Sequence, residues 1–144
     1  MNTQYDIIFD RYKKYVQEHS IYAPRVVKYN TSTSPYFPIV SCSLSNNLPN
    51  SKSQKKVEKI ENLYFTIDIY AKDVTKGTNK IASQIIVDEL INLTYMFFED
   101  GLDMDRTLSK PTPNIDTNIL RHTIQYQCAI SNRGNITRRW NNEF

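Results

Sequence analysis

The sequence predicts a single α+β domain in which a mostly antiparallel β-sheet is packed by two main helices. Two segments repeat apolar residues at three- and four-residue steps, which is the period of an amphipathic helix. One segment alternates apolar and polar residues, which is the period of a half-buried strand. The predicted order is helix, strands, helix, strands, and 144 residues with 40% hydrophobic content suffice for one core. We therefore expect residues 1–144 to form one domain.

The first helix is predicted to begin at a cap on Asn2 or Thr3 and to end near His19 or Ser20. Its apolar residues form one stripe at helical spacing: Tyr5, Ile8, Phe9, Tyr12, Tyr15 and Val16. A single apolar stripe predicts that this helix packs on a sheet.

Strand signals follow the first helix. Two short β-prone runs, Arg25 to Tyr29 and Phe37 to Leu44, are separated by polar and proline-rich breaks. Residues 45–56 have almost no apolar content, so we expect an exposed loop. The clearest strand comes next, with one apolar face and one mixed face: Leu63, Phe65, Ile67 and Ile69 against Tyr64, Thr66, Asp68 and Tyr70.

The second helix is predicted from about Lys80 to Phe98, with Gly101 as its C-terminal stop. Its main stripe is the expected core face: Ala82, Ile85, Ile86, Leu90, Leu93, Met96 and Phe97. A second stripe lies on another side of the helix: Val87, Ile91, Tyr95 and Phe98. One buried face needs only the first stripe. The second is therefore a candidate subunit interface, the alternative being contact with a further element of the same chain.

The last third of the chain predicts a strand pair. The segment LDMDRTLS alternates, with Arg106 on the side of the apolar residues, and Pro111 and Pro113 are expected to end it. A return strand from Ile119 to Ile130 follows, with this core face: Leu120, His122, Ile124, Tyr126, Cys128 and Ile130. Its opposite, polar face includes Arg121 and must meet water, a charged lumen or a partner. The segment NRGN predicts a turn into a last short strand, Ile136 to Trp140.

Composition argues against several classes of function. Three glycines are too few to suggest a glycine-rich phosphate cradle. Cys42 and Cys128 lie far apart, and no secretory or membrane-spanning segment is evident, so we expect a cytosolic chain with reduced thiols and no membrane contact.

No chemical motif stands out either. The two histidines, His19 and His122, have no ligand spacing, so no metal site is expected. Asp103 and Asp105 share one strand face and are interpreted as solvated surface. We expect no catalytic residues and no cofactor, and we interpret the chain as a non-enzyme.

The basic residues are clustered, although the net charge is only +3. Arg133, Arg138 and Arg139 precede Trp140, and these residue types hold phosphate backbones and stack on bases. The same residues are equally compatible with salt links to a protein partner. Together with Arg121, the three arginines are the candidate contacts to a partner or to DNA.

Four segments, quoted in order, carry a family resemblance: NLYFTIDIYAKD, NKIASQIIVDELINL, PTPNIDTNILRHTIQYQ and ISNRGNITRR. They resemble the tail-completion or tail-terminator proteins of long-tailed bacteriophages and related tail-like particles. In that family a strand like Tyr64 to Tyr70 precedes a helix like Lys80 to Phe98. A turn like Pro111 to Asn114 then leads to a strand that opens with an arginine, here Arg121, and carries a tyrosine, here Tyr126.

The resemblance covers roughly residues 60–139 and implies a structural virion protein. Such a protein forms a ring, usually a hexamer, on the end of the tail tube, stops tube polymerisation and offers the surface that docks to the head. The implied partners are further copies of the chain, the tail tube protein and the head–tail connector proteins, and DNA passes through the ring. The implied location is the tail at the head–tail junction, after assembly in the bacterial host cytoplasm.

Two other interpretations stay open. A head–tail connector component, either an adaptor or a stopper, belongs to the same machinery and would contact a different ring. A small nucleic-acid-binding module would instead use the basic C-terminal segment, and it predicts steeply salt-dependent binding to DNA.

Overall fold

The computed structural model describes residues 4–28, 37–49, 60–76, 78–113 and 118–131. In chain order these residues form α1 (Gln4–His19), β1 (Arg25–Val27), β2 (Ile39–Pro49), β3 (Ile60–Ala71), β4 (Val74–Lys76), β5 (Asn79–Ile81), α2 (Ser83–Tyr95), β6 (Asp105–Thr112) and β7 (Leu120–Ser131). Helix α2 continues directly into a π-helical segment, Met96–Gly101. The predicted α+β class is confirmed.

Five strands form one sheet in the order β1-β2-β3-β7-β6, and β4 pairs with β5 in a separate hairpin. Strand β1 runs parallel to β2, whereas all other neighbours in the large sheet are antiparallel. The central strand β3 has the alternation predicted for it. Leu63, Phe65, Ile67 and Ile69 are buried on the face that enters the main core.

Both helices pack on one face of the large sheet, because residues of α1, α2, β3 and β7 belong to a single buried cluster. On α1, Ile8, Phe9, Tyr12 and Val16 are buried, as predicted. Aromatic rings then connect the helical layer to the sheet. Tyr5 stacks on Phe65 with ring centroids 6.1 Å apart, and Phe98 stacks on Tyr126 at 4.8 Å.

A buried hydrogen bond ties the two helices together. The Tyr12 hydroxyl lies 2.7 Å from Thr94 Oγ1, and both side chains are fully buried. Thr94 Oγ1 also donates to the carbonyl of Leu90 at 2.7 Å. Since a threonine hydroxyl has one proton, Tyr12 must be the donor in its bond to Thr94.

One sequence prediction about a strand limit was wrong, and another was right in part. The expected loop 45–56 begins with strand, because β2 continues to Pro49 and pairs with the first half of β3. Ladder hydrogen bonds come from the backbone, so polar side chains did not prevent the pairing; residues 50–56 lie outside the described residues.

Strand β6 runs past Pro111 but ends at Thr112, directly before Pro113, the second of the two prolines expected to end it. It is an edge strand, where a residue without a backbone N–H is tolerated. The predicted short strand Ile136 to Trp140 lies outside the described residues.

Candidate functional site

The buried face of α2 lies between the two apolar stripes that the sequence suggests. Ile86 and Leu90 come from the first stripe, Val87 comes from the second, and Thr94 lies between them; all four are buried. Val87 is 1% exposed. It was predicted as an interface residue, and this was wrong, because the helix is rotated so that its core face spans the middle of the apolar surface.

Phe98 was also misplaced by the sequence, since both Phe97 and Phe98 are 0% exposed. Phe98 follows Val87 by 11 residues, which is about three helical turns, so both lie on the same side of the helix. The orientation of α2 that buries Val87 therefore accounts for Phe98 as well. The π-helical segment, in which Leu102 N donates to Phe97 O at 3.1 Å, five residues back, changes the spacing only of the residues that follow.

Ile91 and Tyr95 are the remaining members of the predicted interface stripe. Both are half-buried at one margin of the α2 core face and pack against the core. At the opposite margin Ile85 is 55% exposed and Met96 is 49% exposed, although both were expected in the core. Apolar surface is therefore available to a partner at both margins of α2, and the sequence identified only one of them.

A chain of hydrogen bonds connects α2 to the strand pair β6–β7. The Tyr95 hydroxyl lies 2.7 Å from Ser109 Oγ, which lies 2.8 Å from His122 Nε2. Burial lowers the pKa of His122, and the charge of Asp88 opposes this effect. The imidazole is therefore neutral at pH 7, so its Nε2 can accept a hydrogen bond from Ser109 while Tyr95 donates a hydrogen bond to Ser109.

Arg106 lies beside this chain. Its guanidinium carbon is 4.1 Å from the centre of the Tyr95 ring, and its Nε is 3.7 Å from Glu99 Oε2. The same Glu99 oxygen accepts a hydrogen bond from Tyr126 at 2.7 Å. Burial and the hydrogen bond to Glu99 raise the pKa of Tyr126, so its hydroxyl stays protonated and keeps Glu99 in place.

A β-bulge brings these residues together. The β6–β7 register shifts between Arg106 and Leu108, so Arg106 pairs with Tyr126 while Ser109 pairs with Ile124. Cross-strand partners share a face of the sheet. Arg106 and Ser109 therefore both lie on the helix side, which regular alternation would not allow.

The face of the sheet away from the helices is mostly polar, although Ile39, Ser41, Tyr70 and Thr123 on it are buried. Its register places two rows of side chains there: Arg25, Ile39, Tyr70, Arg121 and Thr112 in the first, and Val27, Ser41, Asp68, Thr123 and Lys110 in the second. We call these ten residues the polar sheet face. They include three cations and one carboxylate, and Asp105 lies farther along the same face, so the face is only weakly basic.

Arg121 is held within the polar sheet face. Its Nε donates to Asp68 Oδ1 at 3.2 Å, and the same oxygen accepts a bond from Thr123. Its guanidinium also lies 5.3 Å from the Tyr70 ring centre. Burial alone would lower the pKa of Arg121, but the hydrogen bond and charge of Asp68 raise it, so the ion pair stays charged.

The other predicted contacts, Arg133, Arg138 and Arg139, lie outside the described residues. Arg106, Glu99 and Ser109 were missed by the sequence analysis. The sequence did contain one sign of a polar cluster around Arg106. The alternation of LDMDRTLS puts Arg106 on the side of Leu102 and Met104, which are buried, and a charged residue among buried ones needs polar partners.

Within the described ranges no group of three or more His, Cys, Asp or Glu side chains is arranged to hold a metal ion. The helices in those ranges are too short or too polar to cross a membrane. In comparisons with known proteins, no family model matches the chain and no curated protein matches its sequence.

Proposed function

We propose that this chain is a tail-terminator protein, a structural virion subunit that forms a ring on the end of a phage-type tail tube. The observation that carries the proposal is the position of the resembling segments in the fold. They include the central strand β3, the helix α2 and the return strand β7, which are contiguous in one α+β unit.

Exposed apolar side chains on α2 are evidence in favour of ring formation. Ile85 and Met96 lie on the solvent side of α2, and Tyr95 and Ile91 are half-buried at its other margin. Closure of a ring requires a heterologous contact repeated around an axis, so each subunit needs two different surfaces that can meet. The two margins of α2 supply apolar area for such a contact.

The polar sheet face suits a surface along which DNA passes without being held. Arg121, the cation expected to contact DNA, is already paired with Asp68. Tight DNA binding needs several lysines or arginines that are open to phosphates. A weakly basic face with an internal ion pair therefore favours passage of DNA over capture, and the tail-terminator function over the nucleic-acid-binding module.

The experiment that tests the proposal is light scattering over a range of protein concentrations, followed by binding to purified tail tubes. A mass of roughly six times 16.9 kDa and capture on tube ends are the expected results. Binding to portal or adaptor rings in place of tail tubes would indicate a head–tail connector component instead of a tail terminator. A monomer that binds neither partner would refute both assignments.

DNA binding is the third arm of the same experiment. The nucleic-acid module predicts affinity for DNA fragments that falls by orders of magnitude over a modest rise in salt. We expect weak binding with a shallow salt response. A steep response would favour that module instead.

A further inference from the structure

A shallow depression of about 480 Å³ lies between the C-terminal end of α2 and the edge strand β6. Its lining consists of Tyr95, Arg106, Thr107, Leu108, Ser109 and His122. These residues present one guanidinium, one imidazole and three hydroxyls, and none of them has a carboxylate. The three hydroxyl protons are used within the chain: Tyr95 donates to Ser109, Ser109 donates to His122, and Thr107 donates to the carbonyl of Gln125. The guanidinium of Arg106 is therefore the group of the depression that offers hydrogen-bond donors to a ligand rich in acceptors.

Two neighbouring side chains, Tyr95 and Glu99, contact Arg106 in this depression. Its guanidinium carbon lies over the Tyr95 ring, 4.1 Å from the ring centre, and this cation–π contact favours that position of the side chain. Glu99 is its ion-pair partner, but 3.7 Å from Nε is too long for a hydrogen bond. Within the described ranges the remaining N–H groups of Arg106 have no protein acceptor, and because the side chain is exposed they are open to a partner.

The free edge of a guanidinium matches a carboxylate, which accepts two parallel hydrogen bonds. A doubly charged phosphate fits less well, because Glu99 lies beside Arg106 and the charge of Asp88 reaches His122. Two nearby negative charges repel a dianion more than a monoanion. The local charges thus favour a carboxylate as the ligand.

The shape of the depression indicates what carries the carboxylate. Sites for small molecules enclose most of the ligand, whereas this one is open and lies along an edge strand. A side chain from another protein surface fits better. In this chain α1 contacts β1 at the opposite edge of the sheet, and its residues Asp10 and Glu18 are exposed.

We propose that the depression at Arg106 binds an acidic side chain of a second copy of the chain, and so forms a subunit contact of the ring. This inference rests on the proposed ring. A head-to-tail contact brings opposite sides of successive copies together, here the β6 edge of one copy and the α1 side of the next. Tyr95, which the sequence indicated as an interface residue, then acts by positioning Arg106.

The test compares assembly of the wild type with Arg106→Gln, Arg106→Lys and a control, Lys80→Gln, on the exposed β4–β5 hairpin. Light scattering over a concentration series reports the ring. Loss of one charge-assisted hydrogen-bond pair weakens each contact roughly tenfold or more. We expect Arg106→Gln to be mostly monomeric where the wild type and Lys80→Gln form rings, with Arg106→Lys in between.

A ring of Arg106→Gln that is as stable as the wild-type ring overturns this inference and leaves the tail-terminator function standing. Normal rings that bind tail tubes poorly would assign the depression to the tube protein and also overturn it. A wild type that is monomeric at every concentration and does not bind tubes overturns both proposals.

A second measurement covers the case in which Arg106→Gln misfolds. The wild-type ring is titrated with sodium acetate, sodium phosphate or sodium chloride at equal ionic strength. Acetate should dissociate the ring at the lowest concentration, since it competes for the carboxylate site. Equal effects of the three salts overturn the inference.

Discussion

Removing the hydroxyl of Thr94 should destabilise the protein more than removing both partners of its hydrogen bond. Tyr12 donates to Thr94, and neither side chain reaches solvent. Thr94→Val keeps the shape but leaves the Tyr12 hydroxyl buried without an acceptor, which costs about 1–3 kcal/mol. For a domain of this size that corresponds to a fall in Tm of about 3–10 °C.

The double variant decides whether the reasoning is right. Tyr12→Phe combined with Thr94→Val removes the unsatisfied donor as well, and such a paired apolar replacement can be nearly neutral. We therefore expect the double variant to be more stable than Thr94→Val alone. The two effects should be strongly non-additive, as they are for groups in direct contact.

Thermal and urea unfolding followed by circular dichroism measure these free energies. Thr75→Val is the matched control, because Thr75 is exposed on β4, and its effect should stay within about 0.5 kcal/mol. A double variant less stable than Thr94→Val would refute the assignment of Tyr12 as donor. It would show that packing around the two side chains, not the hydrogen bond, sets their contribution.

Three further predictions concern the surfaces and the polar clusters. Ile85→Asp and Met96→Asp should change the free energy of unfolding by less than about 0.5 kcal/mol, because both residues are exposed. Each should lower the mass of the assembly if α2 contacts a neighbouring subunit. An unchanged mass would exclude the Ile85 and Met96 margin of α2 from the interface. Asp68→Ala should cost about 1–3 kcal/mol in urea unfolding, because it leaves Arg121 and Thr123 without their shared acceptor; a neutral result would mean that water replaces the carboxylate. Burial lowers the pKa of His122 in the folded chain. Below about pH 6.5 the unfolded chain therefore takes up a proton more readily than the folded chain, and the free energy of unfolding decreases as the pH is lowered. His122→Gln should reduce this loss of stability between pH 7.5 and pH 5.5, and a larger loss in the variant would contradict the direction of the pKa shift.

The central strand and the first helix could be predicted from the sequence because the apolar residues of each repeat with one regular period. The alternation from Leu63 to Ile69 predicted the central strand, and the stripe around Tyr12 predicted the buried face of α1, since both elements have one face in the core. Such patterns follow directly from the geometry of strands and helices.

The details of the candidate surfaces were not readable, because they depend on how α2 is oriented about its axis and on a break in the period of β6. The orientation of α2 buries Val87 and Phe98 while exposing Ile85, and the β-bulge puts Arg106 and Ser109 on one side of β6. Neither feature has a composition of its own in the sequence. Apolar stripes therefore showed that α2 has more apolar surface than one face needs, but not which residues remain outside.

The β-bulge between Arg106 and Leu108 determines which side chains of β6 line the Arg106 depression. Thr107 is the extra residue of the bulge, so its removal would restore regular alternation and still leave Arg106 and Ser109 on the helix side. A regular β6 that kept Thr107 would instead turn Ser109 away from His122 and bring Leu108 to the helix side. The polar floor of the depression therefore depends on the strand register, because the same residues in a register without the bulge would not form it.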